Sequence, residues 1–381
     1  MRGTMKGFRS AGHEVLPAIG GDLMQPSRTG GEALAQHGGW RQSFKRMLPD
    51  TLRLLLRDGR YYKRGLALAS RTHRLAACFE PHVIYERSAY MSAPGIKLAR
   101  SWRIPLFFES DGCIVSTFAA SYGAACVPLA ELLEKRKAAS AARIVVMSAS
   151  AIPYIASKYF QPKKKFVVKS LGVDPEAFHV DRGVARQLAE ERRLEGRFVV
   201  GFAAAQLQRY HGLDLLLRAA KRLQESHKDI CFFIVGGGAL MEQLVQMAKS
   251  EGLANCVYAG LVEKDMIATY MSLFDVGVVP DCVPHMFGIK VLEYGLLGLC
   301  PLAPDYPAFK GLFDFHGKER VLFNAGDVNA LVERITWLAE NPSETNALGQ
   351  GWRTQVMRQF RWEETVKPVL EAMEEERLRR R

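Results

Sequence analysis

The residues best suited to chemistry lie in HMFGIKVLEYGLLGLCPLAPD, residues 285–305. This segment reads as a loop, a helix opening near Gly288, a glycine-terminated turn and a strand. Glycine at a helix start lets the backbone approach a ligand closely. The free N–H groups of Phe287, Gly288 and Ile289 then face an anion, with the helix dipole behind them. Lys290 adds a mobile positive charge. Glu293, one turn further on, offers a carboxylate that can accept hydrogen bonds from a ribose diol, as acidic residues do in dinucleotide-binding folds. A plain helix start with an exposed Lys–Glu pair would have the same letters. A second segment, GFAAAQLQRYHGLDLLLRAAKRL (201–223), reads as strand, loop and helix. Its Arg209 carries a planar fork that matches phosphate geometry. His211 can donate a hydrogen bond or carry charge near neutral pH. Asp214 reads as a structural residue at the helix start.

Such residues need a rigid frame. In the C-terminal half, apolar strands alternate with amphipathic helices: FVVGFA (198–203), ICFFIV (230–235), CVYA (256–259), FDVGVV (274–279), LCPLA (299–303) and RVLF (320–323). Continuous apolar strands separated by helices predict a parallel sheet covered on both faces, hence a doubly wound, Rossmann-like domain. The N-terminal half predicts strands at HVIYE (82–86), IPLFFE (104–109), RIVVMS (143–148) and KFVVKS (165–170). Helices are expected over 90–101, 123–140 and 150–158, and over 41–77 with a break near Pro49. The α/β reading therefore has two domains. One domain covers 1–180, a second, with the two candidate nucleotide-binding segments, covers 181–362, and a terminal helix of about 363–381 packs back on the first.

The chain has 381 residues and a formal net charge of +12. The charge is uneven: residues 1–170 hold 27 Lys and Arg against 11 Asp and Glu, whereas residues 171–381 hold 25 against 29. A basic half suits an anionic partner or simply a solvated surface. The segment WRQSFKRMLPDTLRLLLRDGRYYKR (40–64) mixes Leu with Arg and Lys at helical spacing. It either lies on an anionic membrane surface or packs on the N-terminal domain. No apolar run reaches the roughly 18 residues of a membrane span, and the N-terminus lacks a signal-peptide core. The expected location is cytoplasmic, with peripheral attachment at the inner face of the membrane. The seven cysteines include no C-x-x-C pair and read as reduced core residues. No metal site or nucleic-acid module is suggested, and no cofactor is expected.

The two chemical segments resemble the family 4 glycosyltransferases of the GT-B architecture (glycosyl transferases group 1). That family typically has two glutamates separated by seven residues in its donor motif. Glu293 matches the second, and His285 stands at the first. Arg209 and His211 match the pair that holds the donor diphosphate, with His211 where Lys is usual. KSLGVDPEAF (169–178) resembles the family's interdomain hinge. PHVIYERSAY (81–90) and IPLFFESDG (104–112) resemble its acceptor-domain pattern, placing Glu86, Arg87, Glu109 and Asp111 at strand ends. By this resemblance Asp111, Glu109 and His285 are the catalytic candidates, with Asp111 orienting or deprotonating an acceptor hydroxyl. Arg209, His211, Phe287, Gly288, Ile289, Lys290 and Glu293 are the donor-binding set. MKGFRSAGHEV resembles the end of the family's first helix and its second strand, so the first strand of the N-terminal domain is missing from this reading.

The resemblance implies a metal-independent, retaining transferase with two Rossmann-like domains facing a cleft. It would move a sugar from a nucleoside-diphosphate-sugar to a hydroxyl on a glycan, a lipid-linked acceptor or a small molecule. The chain lacks the P-loop, nucleophile-elbow and H-E-x-x-H patterns, and D-x-D is absent as well. Two other readings stay open: a catalytically degenerate relative that binds a nucleotide or glycan, and a basic nucleic-acid-binding protein.

Overall fold

The computed structural model describes residues 2–18, 49–76, 78–285 and 287–379. The chain divides into two units, Met1–Ser170 with Val366–Arg381, and Leu171–Thr365.

In the first unit, four short strands form a parallel sheet in the order β1-β2-β3-β4: β1 (Ile84–Arg87), β2 (Leu106–Glu109), β3 (Arg143–Val146) and β4 (Phe166–Val168). All four expected strands form, because each is an apolar run bounded by polar or turn residues. Its helices include α1 (Arg2–Ser10), α2 (Asp50–Leu75), α3 (Pro94–Trp102), α4 (Ile114–Tyr122), α5 (Val127–Ser140) and α6 (Ile152–Tyr159). The helix expected over 123–140 is thus shorter, and α4 precedes it. Gly123, at φ 68°, ends α4. Arg57 of α2 donates to the carbonyls of Tyr122 (2.8 Å) and Gly123 (2.6 Å). The adjacent Asp58 accepts from the N–H groups of Ala125 and Cys126, both at 2.9 Å. One cation meets the carbonyl end of α4 and one anion meets the amide end of α5, as the end charges of helices require. Asp58 is fully buried. Burial alone would raise its pKa, but the two amides and Arg57 outweigh this and lower it.

The second strand expected near His13 does not form. Residues 13–18 carry no regular structure. Arg9 donates to the Val15 carbonyl at 3.2 Å, and Val15 packs beside Phe8. Residues 40–48 of the basic segment lie outside the described residues. The rest of it belongs to α2, which leaves Leu52, Leu55, Leu56 and Leu66 exposed. No helix among the described residues is long and apolar enough to cross a membrane.

The second unit has six parallel strands: β5 (Phe198–Gln206), β6 (Ile230–Gly237), β7 (Cys256–Gly260), β8 (Val276–Val278), β9 (Cys300–Pro304) and β10 (Leu322–Phe323). Their order is β10-β9-β8-β5-β6-β7. Counted within the unit, this is the Rossmann order, with the direction of winding reversing between β5 and β8. The covering helices include α7 (Arg182–Glu191), α8 (Leu213–Ser226), α9 (Ala239–Ser250), α10 (Ile267–Met271), α11 (Ile289–Leu297), α12 (Pro307–Leu312), α13 (Val328–Glu340) and α14 (Pro342–Gln359). β6 is buried at every position, as a strand covered on both faces must be. Near the start of this unit Val173 N–H donates to the Phe360 carbonyl at 2.7 Å.

The last helix, Lys367–Leu378, belongs to the first unit. Val366, Val369 and Ala372 pack with Phe107 and Val145. Glu375 and Glu376 pair with Arg143 at 2.9 and 3.1 Å. None of the seven cysteines is joined in a disulfide.

Candidate donor site

The candidate donor site sits where the second sheet reverses direction. β5 and β8 pair only at Val200–Val276 and Gly201–Gly277. Beyond that point their ladder ends, at the carboxyl side where ligands of such sheets bind. The close pairing needs two glycines: a Cβ on Gly201 would run into the Phe274 ring, and one on Gly277 into the Tyr294 ring. Tyr294, from α11, is fully buried. Its hydroxyl accepts from Ala203 N–H at 3.3 Å and donates to the Val278 carbonyl at 3.4 Å. One phenol therefore satisfies a strand group on each side of the gap, where the ladder has ended.

Past β5 the chain turns through residues 207–212 into α8. Gly212, at φ 64°, takes a left-handed conformation in which a side chain would also strike Asp281. Asp281 N–H donates to the His211 carbonyl at 3.2 Å, and Tyr306 donates to the Asp281 carboxylate at 2.7 Å. This loop is thereby clamped against the end of β8. Within it Arg209 is exposed and His211 is buried. His211 Nδ1 accepts from Gln208 N–H at 3.1 Å. Its ring proton must then reside on Nε2, making Nε2 a donor. Burial, with Lys290 nearby, lowers its pKa to about 3. Of the two roles the sequence left open, His211 takes the neutral donor.

α11 follows the N-cap residue Gly288, which offers no side-chain cap, so its first amides are free to meet an anion. Phe287 is buried and anchors the entry, whereas Gly288 and Ile289 are exposed. Trp352 of α14 donates to the Val291 carbonyl at 2.8 Å and holds the helix down. The Lys290 ammonium lies 4.3 Å from the centre of the Phe202 ring, and that ring lies 5.1 Å from His211. Burial lowers the Lys290 pKa to about 8, against the opposing pull of Cys282 and Glu293. Burial raises that of Glu293, against Lys290 and Lys264. The fold thus gathers His211, Lys290, Glu293 and the start of α11 in one place, with Arg209 two residues before His211 on the same loop. His285 lies half-buried on the loop before α11. Lys264 is an addition the sequence did not offer: it follows β7, and only the sheet order brings its charge near Glu293.

Glu109 and Asp111 belong to the first unit. Glu109 ends β2 and is 5% exposed. Its carboxylate lies 3.4 Å from the Lys169 ammonium and 3.6 Å from the Arg87 guanidinium, and it accepts from the Tyr85 hydroxyl. Burial pushes its pKa up, but Lys169 and Arg87 win and the net shift is downward. It is an anion that neutralises two cations inside the unit. Asp111 is half-buried, and its carboxylate accepts from Cys113 N–H at 2.9 Å just before α4. Glu86 accepts from Gly95 N–H at 2.7 Å, and burial raises its pKa to about 7.

Comparison with known proteins agrees with this architecture. Residues 186–355 match the family described as "Glycosyl transferases group 1", and residues 1–172 match the "Glycosyl transferase 4-like domain". The chain belongs to the group 1 glycosyltransferases of the GT-B fold. Among curated relatives, a GDP-mannose-dependent alpha-(1-6)-phosphatidylinositol monomannoside mannosyltransferase of Mycobacterium tuberculosis is 24% identical over 71% of this chain and 69% of its own. The corresponding Mycolicibacterium smegmatis protein is 26% identical over 50% of this chain, a match that spans about half (51%) of that relative. The fold is shared with Anabaena HepE in complex with UDP, at TM-score 0.65 and 17% identity over 81% of this chain and 82% of that one. It is also shared with sucrose-phosphate synthase from Thermosynechococcus elongatus, at TM-score 0.67 and 18% identity over 82% and 78%.

Proposed function

We propose that the protein is a retaining, metal-independent glycosyltransferase that uses a nucleoside-diphosphate-sugar. The observation that carries the reading is the convergence at one switch point of an uncapped helix start, the Lys290 ammonium, the neutral donor His211 and the Glu293 carboxylate. The helix amides, Lys290, His211 Nε2 and the exposed Arg209 would receive the diphosphate, and Glu293 the ribose diol. Leaving-group charge would be stabilised by these fixed cations and dipoles, as preorganised electrostatic catalysis requires. Retention is inferred from the family.

His285, on the loop before α11, would reach toward the donor sugar. In the first unit Asp111 is the acid we assign to the acceptor hydroxyl, with Glu109 holding Arg87 and Lys169 in place. The acceptor is a glycan or a lipid-linked hydroxyl, a choice supported by the relatives named for a phosphatidylinositol monomannoside. The exposed leucines and arginines of α2 support attachment to an anionic membrane face on the cytoplasmic side.

The test is a melting-temperature panel of UDP-, GDP- and ADP-sugars, followed by turnover with the donor that binds. Arg209→Ala and Glu293→Ala should each abolish turnover. Intact turnover in both would overturn the site. A second reading, a degenerate relative that binds without transfer, is favoured by His285 standing where the family motif has glutamate. It predicts donor binding with no sugar release from any donor.

A further inference from the structure

The first unit holds a second concavity, of about 780 Å³, between α2, α3 and α5. Its size falls within the roughly 300–1,000 Å³ of small-molecule sites. Leu66, Met91, Ile96 and Leu133 give it an apolar wall. Met91 is buried, whereas Leu66 stands 50% exposed and Tyr62 beside it 39% exposed. Large apolar side chains so placed need an occupant more than scattered surface leucines do.

Charge is arranged around this wall. Lys97 and Arg100 line the groove from α3, and Arg136 lines it from α5. No acidic side chain lines it, and none of the three cations forms an ion pair among the described residues. The acids on the neighbouring elements are already engaged. Glu134 pairs with the buried Lys137 and accepts from Ser88 at 2.5 Å, Glu131 faces Lys158 at 3.2 Å, and Asp58 caps α5. The groove therefore presents apolar contact and uncompensated positive charge together.

We propose that this groove binds one anionic amphiphile, a phosphate-headed lipid whose chain lies along Leu66, Ile96 and Leu133 while its headgroup meets Lys97, Arg100 and Arg136. The apolar wall selects against a free anion and the cations select against a neutral lipid. The groove belongs to the first unit and the candidate donor site to the second, so the proposal stands or falls by binding alone, whatever the outcome for sugar transfer.

The experiment is calorimetric titration of the full chain with dihexanoyl phosphatidic acid below its micelle concentration, beside dihexanoyl phosphatidylcholine, inorganic phosphate and an oligoglutamate peptide. The phosphatidic acid should bind, with the other three much weaker. R100Q/R136Q should weaken it roughly 30-fold, from about 1 kcal/mol per lost cation. Leu66→Ser, on an exposed position and so compatible with folding, should weaken it independently. The proposal is overturned if both variants bind as the parent does. Phosphate, phosphatidylcholine or oligoglutamate binding as tightly as phosphatidic acid would overturn it too, by reducing the groove to an anion site, a merely apolar surface or a peptide site.

Discussion

Replacing Lys290 by methionine should stabilise the empty protein and remove its nucleotide affinity. The lysine is held at a pKa of about 8 rather than 10.5, chiefly by burial. At about 1.4 kcal/mol per pH unit, this corresponds to roughly 3 kcal/mol against the ammonium at pH 7. Methionine keeps the apolar stem and removes that cost. It also loses the contact with the Phe202 ring, about 1 kcal/mol for a partly desolvated cation–π pair. The expected net gain is about 1–2 kcal/mol, read by urea denaturation at pH 7. The sign with pH follows from linkage. The folded pKa lies below the unfolded one, so the penalty is complete below about pH 8. It fades as pH rises toward the value at which the unfolded lysine also deprotonates. The advantage of Lys290→Met should therefore shrink above pH 8. Saturating UDP or GDP should reverse the ranking, because only the parent gains binding energy. A Lys290→Met variant that is less stable than the parent at pH 7 without ligand, or that keeps the parent's nucleotide affinity, would refute the reasoning.

Arg209 is exposed, so Arg209→Ala should leave stability within about 0.5 kcal/mol and weaken nucleoside-diphosphate binding by about tenfold or more, measured by calorimetry. Glu293→Ala should weaken UDP or GDP but leave a 2′,3′-dideoxy analogue unaffected; equal losses for both would remove the ribose contact. Glu109→Gln should cost about 3–5 kcal/mol, since it removes the buried carboxylate that faces both Lys169 and Arg87. The Glu109 carboxyl titrates below its ordinary 4.5. Its contribution is therefore present above that value and lost as pH falls through the folded one, so the variant's acid-unfolding curve should be flatter over that range.

Most of the scaffold was legible because hydrophobic runs of four to eight residues between polar boundaries leave few alternatives. All ten strands among the described residues fall on segments read from the chain. The α4–α5 break was not legible. It depends on Arg57 and Asp58, more than sixty residues away, meeting two helix ends at once. The helix start at Gly288 and the residues around it were readable because glycine, lysine and glutamate stand at fixed helical offsets.

The sequence alone determined the alternation of strands and helices, the basic first half and the two segments proposed to hold the donor, since all of these are local patterns. Only the tertiary structure decided what the charged groups do. It made His211 neutral through a backbone hydrogen bond and burial, and it brought Lys264 to bear on Glu293. It also set Glu109 between Lys169 and Arg87 inside its unit. The physical reason is that protonation state and electrostatic role depend on desolvation and on neighbours distant in the chain. The strand order that assembles those neighbours cannot be read from one segment at a time.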